Sequence, residues 1–189
     1  NETTVNENSL IDLNNAFTNK CYKISIKKDY SLKKPLIVYH TTNNTIESKN
    51  VNLRLEFQLE QNSSLRLIDL FNDTAEKNFI NIFYNFDLKK DAILKNYKID
   101  KIQNENVKYS FNNIEQDINS ISETFILSSG SSFLKNDINC NLKGKYSSAF
   151  INGIFSLKTN QQHELKTTIN HLTENTKSYQ LIKSVLGKD

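Results

Sequence analysis

The sequence predicts an all-β fold of stacked strand-corner-strand units, and three observations predict it. Apolar and polar residues alternate over runs of about ten positions, polar corners recur between such runs, and no long helix intervenes. Units of that kind bury an apolar face only against their neighbours. A β-helix or a β-sandwich follows.

The elements come in order. Leu10, Leu13 and Phe17, at spacings of three and four, predict a short amphipathic helix at the start, the tail of a further domain. Val51, Leu53, Leu55, Phe57 and Leu59 then alternate with Asn52, Arg54, Glu56 and Gln58, a strand with one buried face. The same period of two returns in Ile80, Ile82, Tyr84, Phe86 and Leu88, and in Leu134, Ile138, Cys140 and Leu142. Polar corners beginning at Leu59, Leu88, Leu127 and Leu142 make a weak repeat of irregular spacing. With one Pro and four Gly, most corner turns fall to Asn, Asp and Ser, whose side chains bond local backbone and tolerate left-handed dihedrals. The last thirty residues are ambiguous. Leu165, Ile169, Leu172, Tyr179, Ile182 and Leu186 are spaced as on a helix, whereas Thr167, Thr168 and Ile169 are β-branched and "TENTKS" is a polar break.

Composition bounds the rest. The 189 residues carry 24 Lys+Arg against 21 Asp+Glu, and this spread excess of three charges forms no cationic stripe for nucleic acid. No apolar run approaches the roughly 20 residues of a membrane span. Two cysteines without C-x-x-C spacing predict neither a disulfide framework nor a zinc site, and fit a reducing compartment. Asn62-Ser63-Ser64 and Asn72-Asp73-Thr74 match the glycosylation pattern, as expected by chance in an Asn- and Ser-rich chain. A start at Asn1 with no Met anywhere predicts a fragment.

The chemistry of sites is sparse. Gly144-Lys145 and Gly187-Lys188 are not followed by Ser or Thr, so no P-loop is present, and any ATP hydrolysis is expected of a partner. No G-x-S-x-G elbow occurs. His40, His163, His171, Cys21 and Cys140 are the candidate soft metal ligands, with uninformative spacing. Cys140 shares parity with Ile138 and Leu142, which predicts a core-filling thiol. Carboxylate pairs such as Glu115 with Asp117 suggest acid-base work on sugars, as in a β-helical polysaccharide-active enzyme, against the plainer reading of a solvated face; a purely structural interaction solenoid is the other alternative.

From Phe133 to Asp189 the chain resembles the SufB/SufD family of iron–sulfur cluster assembly proteins. Lys135-Asn136-Asp137 looks like the family's Arg-Asn-Asp, Gly144 like its L-x-G-x corner, and Asn152-Gly153 like its Gly-containing turn. His163 and His171 fall in its Q-H-x-D…T-x-x-x-H stretch, and "NTKSYQLIKSVL" resembles its P-x-T-x-S-x-Q-L-x-K-x-V-L. Upstream, "NAFTNKCYKISIKKDYSLKKPLIVYH" resembles the segment in which the family's solenoid begins, and SufD looks the closer branch.

The resemblance implies a right-handed parallel β-helix, with residues 1–18 ending an N-terminal helical region, 19–189 forming the β-helix core, and a C-terminal helical region missing. It makes strands and corners of Leu165 to Leu186. It implies a non-ATPase scaffold, not an enzyme, that pairs with a SufB-like sister while a SufC-like ATPase docks on the helical region, with no nucleic acid or membrane partner. A transient iron–sulfur cluster belongs to the complete complex, and none is expected on this fragment. The family's candidate cluster residues would lie beyond Asp189, so the carry-over is limited to a structural motif of Asn136, Asp137, Gly153, Ser178 and Lys183. Metal and catalytic residues are expected to be absent, and the compartment to be cytoplasm or an organelle stroma.

Overall fold

The computed structural model describes residues 9–18, 20–41, 49–71, 77–102 and 105–187. One helix, α1 (Ser9–Phe17), precedes twelve strands: β1 (Cys21–Ile26), β2 (Leu36–His40), β3 (Asn50–Leu59), β4 (Ser64–Phe71), β5 (Phe79–Leu88), β6 (Ile93–Ile102), β7 (Val107–Gln116), β8 (Ile121–Gly130), β9 (Phe133–Leu142), β10 (Ser148–Leu157), β11 (Gln162–His171) and β12 (Lys177–Leu186). Odd strands stack in one sheet, A, in the order β1-β3-β5-β7-β9-β11, and even strands in a second, B, in the order β2-β4-β6-β8-β10-β12. Every pairing is parallel. The chain therefore alternates between two walls and returns one step higher each time. It is a parallel β-helix, and the last thirty residues are strands of it.

The register repairs the irregular repeat. Ile26, Leu59, Leu88, Gln116, Leu142 and His171 end successive strands of sheet A in one column. The corner after Leu127 belongs to the opposite edge, where β8 passes into β9, and the true member, Gln116, is not a leucine. At the corners leaving sheet A, Asp29, Asn62, Asp91, Asn119, Tyr146 and Asn175 all have positive φ. Five of the six are Asn or Asp, the side chains that tolerate this region. Their amides run up the stack: Asp29 N–H donates to Gln61 O, Asn62 to Lys90 O, Asp91 to Ile118 O and Asn119 to Lys145 O, all within 3.0 Å. Tyr146 is the exception, and its corner also holds Gly144, where a Cβ would stand 1.9 Å from the Ile118 nitrogen. Asn72-Asp73-Thr74 lies outside the described residues.

Two sequence expectations need correction. The helix forms, but Phe17 is exposed; Ile11 and Asn14 face inward. Asn14, fully buried, donates to Asn81 O at 2.9 Å and Leu53 O at 3.2 Å, and Asn81 donates back to Leu10 O at 2.8 Å, so amides and not an apolar stripe fix α1 across β3 and β5. Asn152-Gly153 is no turn. It sits inside β10 with Gly153 facing the interior, where a Cβ would be 3.0 Å from the Phe155 ring and 3.2 Å from Ile182. Glycine is there to admit those side chains.

The core lies between the walls. From sheet A come Leu55, Phe57, Leu59, Ile80, Ile82, Tyr84, Phe86, Leu88, Leu134 and Cys140, with Phe57 and Phe86 stacked at 5.0 Å. Sheet B contributes Leu65, Leu67, Leu94, Ile126, Ala149 and Ile151. In β6 and β8, however, the alternation is inverted. Leu94, Asn96, Lys98 and Asp100, then Ser122, Thr124, Ile126 and Ser128, are buried, while Ile99, Tyr97, Phe125 and Leu127 point outward. No helix among the described residues is long and apolar enough to cross a membrane.

Candidate functional site

The inverted strands give the interior a polar seam. The parity that turns Tyr97 and Ile99 out turns Lys98 and Asp100 in, and β7 answers from the other wall with Lys108, Ser110 and Asn112, all buried. Lys98, 1% exposed, places Nζ 3.0 Å from Asp69 Oδ2 and donates to Asn112 Oδ1 at 3.2 Å, over the Tyr84 ring at 3.7 Å. His40 closes the other side of Asp69, Nε2 to Oδ1, at 2.7 Å. Lys108 pairs with Asp100 and lies 4.4 Å over the Phe71 ring. The cluster thus sets two buried ammoniums against two buried carboxylates.

Electrostatics follow from that balance. Burial pushes the Asp69 carboxyl up, but Lys98 and the His40 hydrogen bond outweigh it and hold it far below the usual range. Lys98 is lowered, because burial and the neighbouring Lys108 oppose its charge more than Asp69 supports it. Tyr84, buried beside Asp69, is raised well above an ordinary phenol. Asn96 Oδ1, Asp100 Oδ2 and Asn136 Nδ2 are buried with no hydrogen-bond partner. Polar atoms of this kind suit ordered water, which needs two to four such partners. At its His40 end the seam meets a mainly apolar cavity of about 500 Å³ between the first strands, lined by Ile24, Val38, Leu53 and Phe71 among others. Chemically, the arrangement holds paired charge in a buried seam and links His40, which also lines the cavity, to Asp69 and Lys98.

The residues singled out from the sequence are scattered. Asn136 faces the seam and accepts from Ser110 Oγ, whereas its neighbour Asp137 faces outward beside α1, accepting from Tyr109 Oη at 3.0 Å. Gly153 lies inside sheet B, Ser178 is the second residue of the exposed last strand, and Lys183 points outward from it. Cys140 is buried in the core, with its thiol pushed up to about 12 by burial and Glu115. Cys21 is exposed and its thiol is also raised, by burial of the sulfur and Glu56.

The histidines are committed locally. His163 Nε2 lies 2.6 Å from the Gly130 carbonyl, which can only accept, so that nitrogen carries the hydrogen and Nδ1 accepts from Ser128 Oγ at 3.0 Å. Burial lowers its pKa further than the carbonyl bond raises it. Thr176 spends its hydroxyl hydrogen on Thr173 O, so His171 donates through Nδ1 to Thr176 at 2.6 Å and accepts from Ser178 through Nε2 at 3.0 Å. Glu115 and Asp117 do not work as a pair. Glu115 lies 2.7 Å from Lys143 and accepts from Asn113 and Asn141, which overcome its partial burial and lower its pKa, while Asp117 caps the Ile118 amide at a corner. Among the described residues no three His, Cys, Asp or Glu side chains converge as a metal site.

Sequence reasoning missed the seam entirely. The signal was there in β6, "ILKNYKIDKI", where either parity carries apolar residues and only one carries both Lys98 and Asp100. No curated protein matches the chain. Residues 39–189, from the end of β2 through the stack, match the family described as SUF system FeS cluster assembly, SufBD core domain.

Proposed function

The chain belongs to the SufB/SufD family and has a role in iron–sulfur cluster assembly, and from that premise we propose that it is the SufD-like, non-ATPase scaffold of the assembly complex. It pairs with a SufB-like sister through the β-helix and works with a SufC-like ATPase, the cluster passing through the complex as cargo. The observation that carries this reading is how the titratable groups are spent. Lys98 and Asp69 neutralise each other, Cys140 is a packed thiol, and His163 and Glu115 are held by neighbours, so these groups reinforce the wall instead of facing a substrate. A stiff parallel ladder suits a protein that must present surfaces at fixed separations.

The unpaired thiols, one exposed and one buried, fit a reducing compartment, and we place the complex in the cytoplasm or an organelle stroma. The test is co-purification of the complete reading frame with the sister scaffold and ATPase of its own genome, reading complex mass and iron–sulfur absorbance together. The expected result is a stable assembly of all three that holds a cluster under anaerobic reconstitution. A chain that stays alone and colourless overturns the proposal.

A further inference from the structure

The outer face of sheet B is apolar where a solvent face should be polar. Its strands stack in register so that Ile68, Tyr97 and Phe125 form one outward column and Leu70, Ile99, Leu127 and Ile154 the next. At the β2 end the columns reach Ile37 and Tyr39; at the other end Asn152 interrupts the first column before Leu181, and the second passes Ile154 to end at Lys183. Tyr97 and Leu127, in mid-stack, are each 38% exposed. The same chain shows what its solvated face looks like: at the same level of sheet A, Asn85, Asn113 and Asn139 are joined by amide bonds of 3.0 Å. An apolar strip that runs through five strands, from β2 to β10, on an exposed sheet face marks a contact site.

Shape and charge specify what covers it. Five strands at a spacing of about 4.8 Å make a strip roughly 19 Å long, and outward columns two residues apart are separated by roughly 7 Å. A helix of about 13 residues has that length, and its apolar stripe has that width. The described outward positions of sheet B carry Arg66, Lys95, Lys101, Lys177 and Lys183 against one acid, Glu123, which lies 3.1 Å from Lys95. A second copy laid face to face would set basic flank on basic flank. A helix flanked by acids would not. We propose that the outer face of sheet B docks an amphipathic, acid-flanked helix of a partner protein, laid along the solenoid axis.

The experiment places a photo-crosslinking phenylalanine at Tyr97 or Leu127 of the complete reading frame, with Asn113 on sheet A as control, irradiates it in the source cells and sequences the joined peptides. The expected product from Tyr97 and Leu127, and not from Asn113, is one segment of a separate protein with apolar residues at i, i+3, i+4 and i+7 and Asp or Glu beside them. That segment as a synthetic peptide should bind the purified protein, bind at least tenfold more weakly to Leu127→Asp, and weaken with salt. Thermal melting of Leu127→Asp at the parent temperature shows that the fold is intact. Crosslinks to lipid, to a second copy, to another part of the same chain or to a non-acidic segment overturn the proposal, as does no crosslink or equal yield from Asn113. The cluster-assembly reading stands apart: a chain that never joins an iron–sulfur complex can give the crosslink, and one that assembles without it loses only this inference.

Discussion

Sheets A and B enclose one interior from opposite sides and are built on opposite plans. In sheet A the inner face is an apolar wall, interrupted mainly by β7; the outer face carries Phe83 and Phe111 towards α1 and, beside them, a polar column in which Asn85, Asn113, Asn139 and Asn170 are bonded from turn to turn. In the middle of sheet B the inside carries Asp69, Lys98, Asp100 and Ser128, and the outside carries the aromatic and aliphatic columns. The backbone ladders are the same, so the difference is one of side-chain parity. A parallel ladder satisfies its own amides whichever face looks inward. Side chains are then free to be distributed for reasons other than stability, provided that buried charges are paired.

The largest effect should come from breaking the apolar wall. Phe86 is fully buried, stacked on Phe57 at 5.0 Å and 6.2 Å from the Tyr84 ring. Phe86→Ala should cost about 4 kcal/mol in chemical denaturation, the transfer loss plus the cavity left between two rigid walls.

Sheet B should respond differently, to pairing and not to volume. Lys98→Met keeps most of the side-chain volume but takes from the buried Asp69 its nearest ammonium, a loss of about 3 kcal/mol. The double variant Asp69→Leu with Lys98→Met removes both charges and should recover most of that loss. A double variant as unstable as the single would show that the seam contributes shape, not charge balance. Both variants are read by the same denaturation midpoint.

A third test moves to the end of the stack, where β11 leans on sheet B through His163. Burial holds this imidazole below its ordinary 6.5 in the folded protein. The folded state therefore binds fewer protons than the unfolded one. Stability is complete above pH 6.5 and falls as pH drops below that value towards the folded pKa. Ser128, Gly130 and the edge of Phe155 face the ring, and Asp100 acts from farther away in the opposite sense. The melting temperature should fall between pH 7 and pH 5, and His163→Gln, which can still donate to Gly130 and accept from Ser128, should flatten that fall. An equal fall in the variant would place the acid sensitivity elsewhere.

These contrasts also explain what could be read from the chain. Strands β3, β5 and β9 were legible because they belong to sheet A, where apolar means inward. In sheet B the same rule points the wrong way for Tyr97 and Ile99, which are apolar and face outward. The corner repeat was half legible. Its leucine column is real, but Gln116 occupies one place in it and buries its amide on Ser120 O and Ser148 O, so a search for leucine passes over it. Strand β12 has no buried side and hence no period that burial could impose; only the resemblance to a family assigned it. The motif residues Asn136 and Asp137 are adjacent in sequence and face opposite sides of one strand, which a motif cannot convey.

The smallest expected effect separates the two outer faces. Asn113 donates to Asn85 Oδ1 at 3.0 Å and to Glu115 Oε1 at 3.1 Å and accepts from Asn139, so Asn113→Ala removes a link from a bonded column and should cost about 1 kcal/mol. Tyr97 occupies the corresponding exterior of sheet B and gives the wall little, since its ring is partly in water already. Tyr97→Thr keeps β propensity and should leave the midpoint within about 0.5 kcal/mol of the parent. The isolated protein should become less prone to associate in light scattering, because apolar area has been removed from its surface. A loss of more than 1 kcal/mol in Tyr97→Thr would mean that the aromatic column stabilises the sheet itself. The two exteriors would then differ only in composition, and not in what they are for.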